Sequence, residues 1–137
     1  MLAQYHGHYI KFYLKEIRDI QISKQTFEKE DKLMENIDNA VSFWFNPAVE
    51  PFEVTFLLDD DIVVYFERKP IKGQYLKKNC DGTAELTINV TDKKEVFFVM
   101  KKWLFQIRII EPYKLQAEFN VMIKKYLASL TIVQNMR

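Results

Sequence analysis

His6 and His8 are the chain's only two histidines. On a strand, their alternate spacing would put both imidazoles on one side. Zinc takes three or four ligands, so Cys80 or carboxylates would have to complete a site, and the pair reads instead as residues of a turn at Gly7-His8. Cys80 is the single cysteine. It lacks a CxxC partner and a neighbouring histidine to activate it, so neither metal binding nor nucleophilic chemistry is expected there. Asp59, Asp60 and Asp61 lack the spaced oxygens and glycine of a calcium loop and suit the N-terminus of a helix. The basic residues Arg68, Lys69, Lys72, Lys77 and Lys78 fall around one helix end and the strand after it, where they could gather to hold an anion or a nucleic acid. Lysines on an edge strand also guard a sheet against aggregation. There is no GxSxG, Walker loop or dinucleotide fingerprint. The chain is expected not to be an enzyme and to carry neither metal nor cofactor.

The totals bound the size of the core and the classes of partner. At 137 residues, the chain is one domain or one domain plus a fragment. Its 48% hydrophobic and 15% aromatic content can fill a core. Twenty Lys and Arg against nineteen Asp and Glu leave a formal charge of +1, which disfavours a protein that coats nucleic acid over its whole surface. No apolar run is long enough to span a bilayer, and the first ten residues lack the layout of a signal peptide. A cytoplasmic protein is expected.

The elements that position these residues follow from periodicity. In "YHGHYIKFYLKEIRDIQIS", Ile10, Phe12 and Leu14 alternate as in a strand, and the phase slips at Lys15-Glu16, which implies a bulge or short turn before Ile17, Ile20 and Ile22. This is an N-terminal hairpin. From Thr26 to Trp44 the three-to-four spacing of Leu33, Ile37, Val41 and Trp44 predicts a solvated helix, stopped by Asn46-Pro47. A strand with Phe52, Val54, Phe56 and Leu58 on one face follows, then a helix with Ile62, Val63 and Phe66 inward and Pro70 beyond its end. Two strands flank Asp81-Gly82, the second burying Leu86, Ile88 and Val90. A helix opens on a capping box at Asp92 and Glu95, with Val96, Val99, Met100 and Trp103 inward. "IRIIEP" is a last strand. A final helix has Pro112 in its first turn and Leu115, Phe119, Met122, Ile123, Tyr126 and Leu130 along one side. The order from Phe52 to Ile110 is β-α-β-β-α-β, an α+β ferredoxin-like unit with an extra C-terminal helix. An RNA-reading sheet is disfavoured because the central strand offers Glu85, Thr87 and Asn89 where aromatics would stack on bases.

The stretch from "FEVTFLLDDDIVVYFERKPIKGQ" through "DGTAELTINV" and the Trp103-bearing helix to "IRIIEPYKL" resembles the C-terminal extension, called WCX, of bacterial WYL-domain transcriptional regulators. Upstream, "LAQYHGHYIKFYLKEIRDIQI" is similar to the final strands of the WYL domain, an Sm-like barrel. The resemblance implies residues 1–24 as terminal WYL strands, 25–47 as a linking helix, 48–130 as the WCX domain and 131–137 as a tail. It further implies an upstream winged helix-turn-helix that reads DNA, a homodimer, and a ligand-sensing or dimerising role for this part, which would not itself read DNA. Family members carry basic residues along the strand that is "IKFYLKEIR" here, which adds Lys11, Tyr13 and Arg18 as candidates for a nucleotide or nucleic-acid ligand. The alternative is a stand-alone interaction protein that dimerises through its N-terminal hairpin.

Overall fold

The computed structural model describes residues 2–6, 8–28, 30–38 and 40–135. Its centre is a four-stranded antiparallel sheet made of β3 (Phe52–Leu58), β4 (Tyr75–Lys78), β5 (Ala84–Val90) and β6 (Ile107–Glu111), in the order β4-β5-β3-β6. Helix α2 (Asp60–Arg68) joins β3 to β4 and helix α3 (Lys93–Lys102) joins β5 to β6. Both central strands are therefore the ones that lead into a helix, which is the ferredoxin-like arrangement.

Alternation decides which face is covered. Val54, Phe56 and Leu58 on β3, and Ala84, Leu86, Ile88 and Val90 on β5, are all buried. They pack with Ile62, Val63 and Phe66 of α2 and with Val96, Val99 and Met100 of α3 in one core. Phe52, at the first position of β3, is left partly exposed. The register pairs Leu57 with Glu85 and with Arg108, and Thr55 with Thr87, so these residues share the opposite, open face. Thr55 and Thr87 hydrogen-bond there through their hydroxyls at 3.1 Å. The β4–β5 turn depends on Gly82, whose φ is +90°, and a Cβ on it would lie 3.2 Å from the Asp60 Cβ.

Two of the three aspartates, Asp59 and Asp61, brace the start of α2 against distant chain, while Asp60 accepts locally from the Asp61 amide. Asp59 stands at the N-cap of α2, but its side chain makes no capping bond. Its carboxylate accepts from both Arg108 guanidinium nitrogens, at 2.6 and 3.3 Å, and Asp61 accepts from the Gln106 amide. The start of α2 is thereby tied to β6, two elements more than forty residues apart, a link that local spacing does not encode.

The last helix, α4 (Tyr113–Asn135), starts just after Pro112 and is 23 residues long, about 34 Å at 1.5 Å per residue. Leu115 and Phe119 are buried and Ile123 packs against the core, while Met122, Tyr126 and Leu130 of the expected stripe are exposed. The stripe outruns the body it packs on.

The N-terminal third departs most from expectation. Strands β1 (Leu2–Tyr5) and β2 (His8–Lys11) form a separate two-stranded antiparallel sheet. Gly7 of the expected turn lies outside the described residues. The phase slip is a 3₁₀ turn at Leu14–Glu16, and residues 17–28 then form neither helix nor strand. Ile10, Phe12 and Leu14 remain exposed, as do Ile20 and Ile22. The linking helix, α1 (Asp31–Asp38), has only eight residues.

Two outcomes follow. Leu86→Ala should cost about 2–5 kcal/mol, read as a shift of the urea midpoint with an unchanged slope. The Arg108 hydrogen bond holds the Asp59 carboxyl below its ordinary 3.8. A depressed carboxyl stabilises the fold above that ordinary value and loses its contribution as pH falls through the folded value. Asp59→Asn should accordingly flatten the acid limb of a stability-against-pH profile.

Candidate functional site

A buried carboxylate organises the region beside α3. Asp92 and Glu95 form the expected capping box. Glu95 is only 1% exposed, however, and it does more than cap. Its Oε2 accepts from the Thr91 amide and hydroxyl, both at 2.9 Å, and from the Asp92 amide. Its Oε1 accepts from the amides of Val41 and Ser42, at 3.2 and 3.3 Å. The Thr91 hydroxyl also accepts from the Asn46 amide at 2.7 Å. Chain 41–46 is thus fastened along the N-terminus of α3, where the helix dipole favours the negative charge. Lys11 reaches the same segment from β2, donating to the carbonyls of Phe43 and Phe45. Burial lowers the pKa of this ammonium, and the charges of Glu95 and Asp92 oppose the shift.

That fastening completes a groove between α2 and α3. A cavity of about 130 Å³ is lined by Val41 from the fastened segment, by Tyr65, Phe66, Lys69 and Ile71 from α2 and its exit, and by Phe98, Val99, Lys102 and Trp103 from α3. Tyr65 and Lys69 lie four residues apart, as do Phe98 and Lys102, so each pair shares one helix face. The rings interlock, with Tyr65 edge-on to Trp103 at 4.5 Å and Phe66 5.6 Å from Trp103. The Lys102 ammonium donates to the Tyr65 hydroxyl at 3.1 Å and sits 5.1 Å above its ring. This hydrogen bond, with the charges of Lys102 and Lys69 adding to it, lowers the Tyr65 phenol from its ordinary 10.0. Gln74 ties two of the lining residues, Ile71 and Phe66, together. Its side chain accepts from the Ile71 amide and donates to the Phe66 carbonyl, satisfying an orphan group at the end of α2.

The expected basic residues are dispersed. Lys72 pairs with Asp38, Lys77 with Glu85 and Lys78 with Glu67, all on exposed surface. Arg68 and Arg18 are exposed. Tyr13 stacks on Phe43 at 5.6 Å, and Lys11 is occupied by the carbonyls named above. Of the eight, Lys69 alone lines the groove. Neither Lys69 nor Lys102 is paired with a carboxylate among the described residues. Tyr65, Phe98 and Lys102 carry no motif. Their signal is the four-residue spacing on two helices that a β-α-β-β-α-β order places side by side. Cys80 is exposed at the β4–β5 turn. No helix among the described residues is long and apolar enough to cross a membrane.

Comparison of the sequence with protein-family models gives no match, and comparison with curated proteins gives none.

Removing Glu95 tests whether the groove depends on the fastened segment. Glu95→Ala takes the acceptor from the buried donors of Thr91 and from the partly buried amides of Val41 and Ser42, and should cost about 3 kcal/mol. Amide exchange at residues 41–46 should accelerate more than exchange in β5. Uniform acceleration across both would show that Glu95 serves global stability alone.

Proposed function

We propose that this chain is the ligand-sensing part of a DNA-binding transcriptional regulator of the WYL type, and that it acts as a binding module rather than an enzyme. The observation that carries the ligand assignment is the pairing of two ammonium groups and a phenol over an aromatic floor, with no carboxylate paired to either cation among the described residues. Such a site favours an anion attached to something apolar or planar, because the cations supply charge and the rings supply contact area. The cavity is smaller than the usual range for whole small-molecule ligands, so it suits the charged end of one. A nucleotide phosphate has that chemistry.

The exposed apolar residues of the N-terminal segment fit the same reading. Leu14, Ile20 and Ile22 lie 72%, 78% and 98% exposed beside a hairpin of only two strands. A two-stranded hairpin is marginal by itself in water, and these side chains are a surface that an adjoining barrel would cover. In such a regulator, ligand binding between α2 and α3 would shift the population of states of the DNA-reading part. The location would be cytoplasmic.

The test is a titration of the Trp44→Phe variant, in which Trp103 is the remaining fluorophore, with a nucleoside monophosphate and with inorganic phosphate. Saturable quenching by the nucleotide is expected, weakened at least tenfold in Lys69→Met/Lys102→Met. Equal response in that double variant would remove the groove from the proposal. Tight binding of operator-length duplex DNA by these 137 residues alone would overturn the regulatory reading.

A further inference from the structure

We propose that the outward face of α3 is a dimer surface, and that its occupant is the acidic segment around α1 of a second copy of this chain. Every exposed charged side chain within α3 is a lysine: Lys93, Lys94, Lys101 and Lys102. Glu95 is buried beneath them, and Asp92 caps the Lys94 amide. Lys93 is paired with Glu118, but Lys94 and Lys101 have no ion-pair partner among the described residues. Large apolar groups punctuate this face. Phe98 projects from its middle, 50% exposed, and Trp44 lies under the Lys94 ammonium at 4.8 Å. Phe105 is 86% exposed beyond the helix end, with φ at +87°, a conformation that bulky residues seldom adopt. A basic face carrying aromatics calls for an acidic partner that also carries apolar side chains.

The chain itself contains that partner. From Phe27 to Asp38 the sequence holds Glu28, Glu30, Asp31, Glu35 and Asp38 against Lys29 and Lys32, and Lys32 is neutralised by Glu50 at 2.5 Å. Phe27 is 85% exposed and Met34 is also exposed. Glu30 takes the Tyr9 hydroxyl and Asp38 takes Lys72, leaving Glu28, Asp31 and Glu35 exposed and unpaired among the described residues. Asp31 and Glu35 lie one turn apart on the same side of α1. Within one chain no described carboxylate of this segment pairs with a lysine of α3, so the complement is available to a neighbour. A two-fold axis would satisfy both faces at once, since each copy gives an acidic segment and receives one, and the contact closes without leaving an open end.

The surface adjoins the α2–α3 groove and shares Phe98 and Lys102 with it, but the variants alter neither of these nor Lys69, so failure here leaves the ligand reading standing. Sedimentation velocity of the full chain should show concentration-dependent dimers whose dissociation constant rises at least tenfold between about 50 and about 500 mM salt. Lys94→Glu/Lys101→Glu should be monomeric, as should Asp31→Lys/Glu35→Lys, each with native circular dichroism. Mixing the two variants should restore a dimer that neither forms alone. A wild-type chain that stays monomeric, single-face variants that still dimerise, or a mixture that fails to associate would each overturn the proposal. Retention of a single-stranded oligonucleotide by a monomeric wild type, lost in Lys94→Glu/Lys101→Glu, would assign the face to a polyanion instead.

Discussion

The Glu95 carboxylate is the constraint on which the arrangement around α3 rests. A carboxylate taken out of water is strongly unfavourable unless hydrogen bonds replace its hydration. Here five donors do so, drawn from the residues just before α3 and from a segment more than fifty positions upstream. The charge cannot be left in place if segment 41–46 departs, because two of its donors would leave with it. A local capping device has thereby become a tertiary staple.

The staple has consequences on both sides of the helix. Toward α2 it holds Val41 as one wall of the groove in which Tyr65, Trp103, Lys69 and Lys102 meet. Toward the N-terminus it presents the Phe43 and Phe45 carbonyls to Lys11, linking the separate two-stranded sheet to the ferredoxin-like body. Outward, it places Trp44 beside Lys94. Regions that share no periodicity are joined because each touches the same six residues, through backbone carbonyls at Lys11 and through the Trp44 ring at Lys94.

The fold of residues 52–119 was legible because one-sided burial repeats in the sequence. Leu86, Ile88 and Val90 alternate with polar neighbours, and Val54, Phe56 and Leu58 do so apart from Leu57, and that alternation states which face is covered. The linking helix was overread for a physical reason. Leu33, Ile37 and Val41 keep helical spacing, but the Val41 and Ser42 amides that a longer helix would direct to its own carbonyls donate to Glu95. The chain tightens instead through an Ala40 amide to Ile37 carbonyl bond and ends the helix at Asp38. Beyond the 3₁₀ turn, Ile17 to Ile22 have the composition of a strand, but no described strand pairs with them. Composition supplies a preference, and a ladder also needs a partner.

By itself, the sequence determined the order of elements, the covered face of the sheet, the capping box and the near balance of charge, because each depends on composition or on neighbours within a few residues. Tertiary structure decided which cations remain available. Lys72, Lys77 and Lys78 meet carboxylates, whereas Lys69 and Lys102, thirty-three positions apart, meet across a cleft of aromatic rings. Tertiary structure also turned Asp59 from a cap into a brace for Arg108 and Glu95 from a cap into a staple. The reason is common to both. A charged side chain takes its partner from whatever the packed core brings within about 3 Å, and that distance is set by the fold rather than by the spacing of residues along the chain.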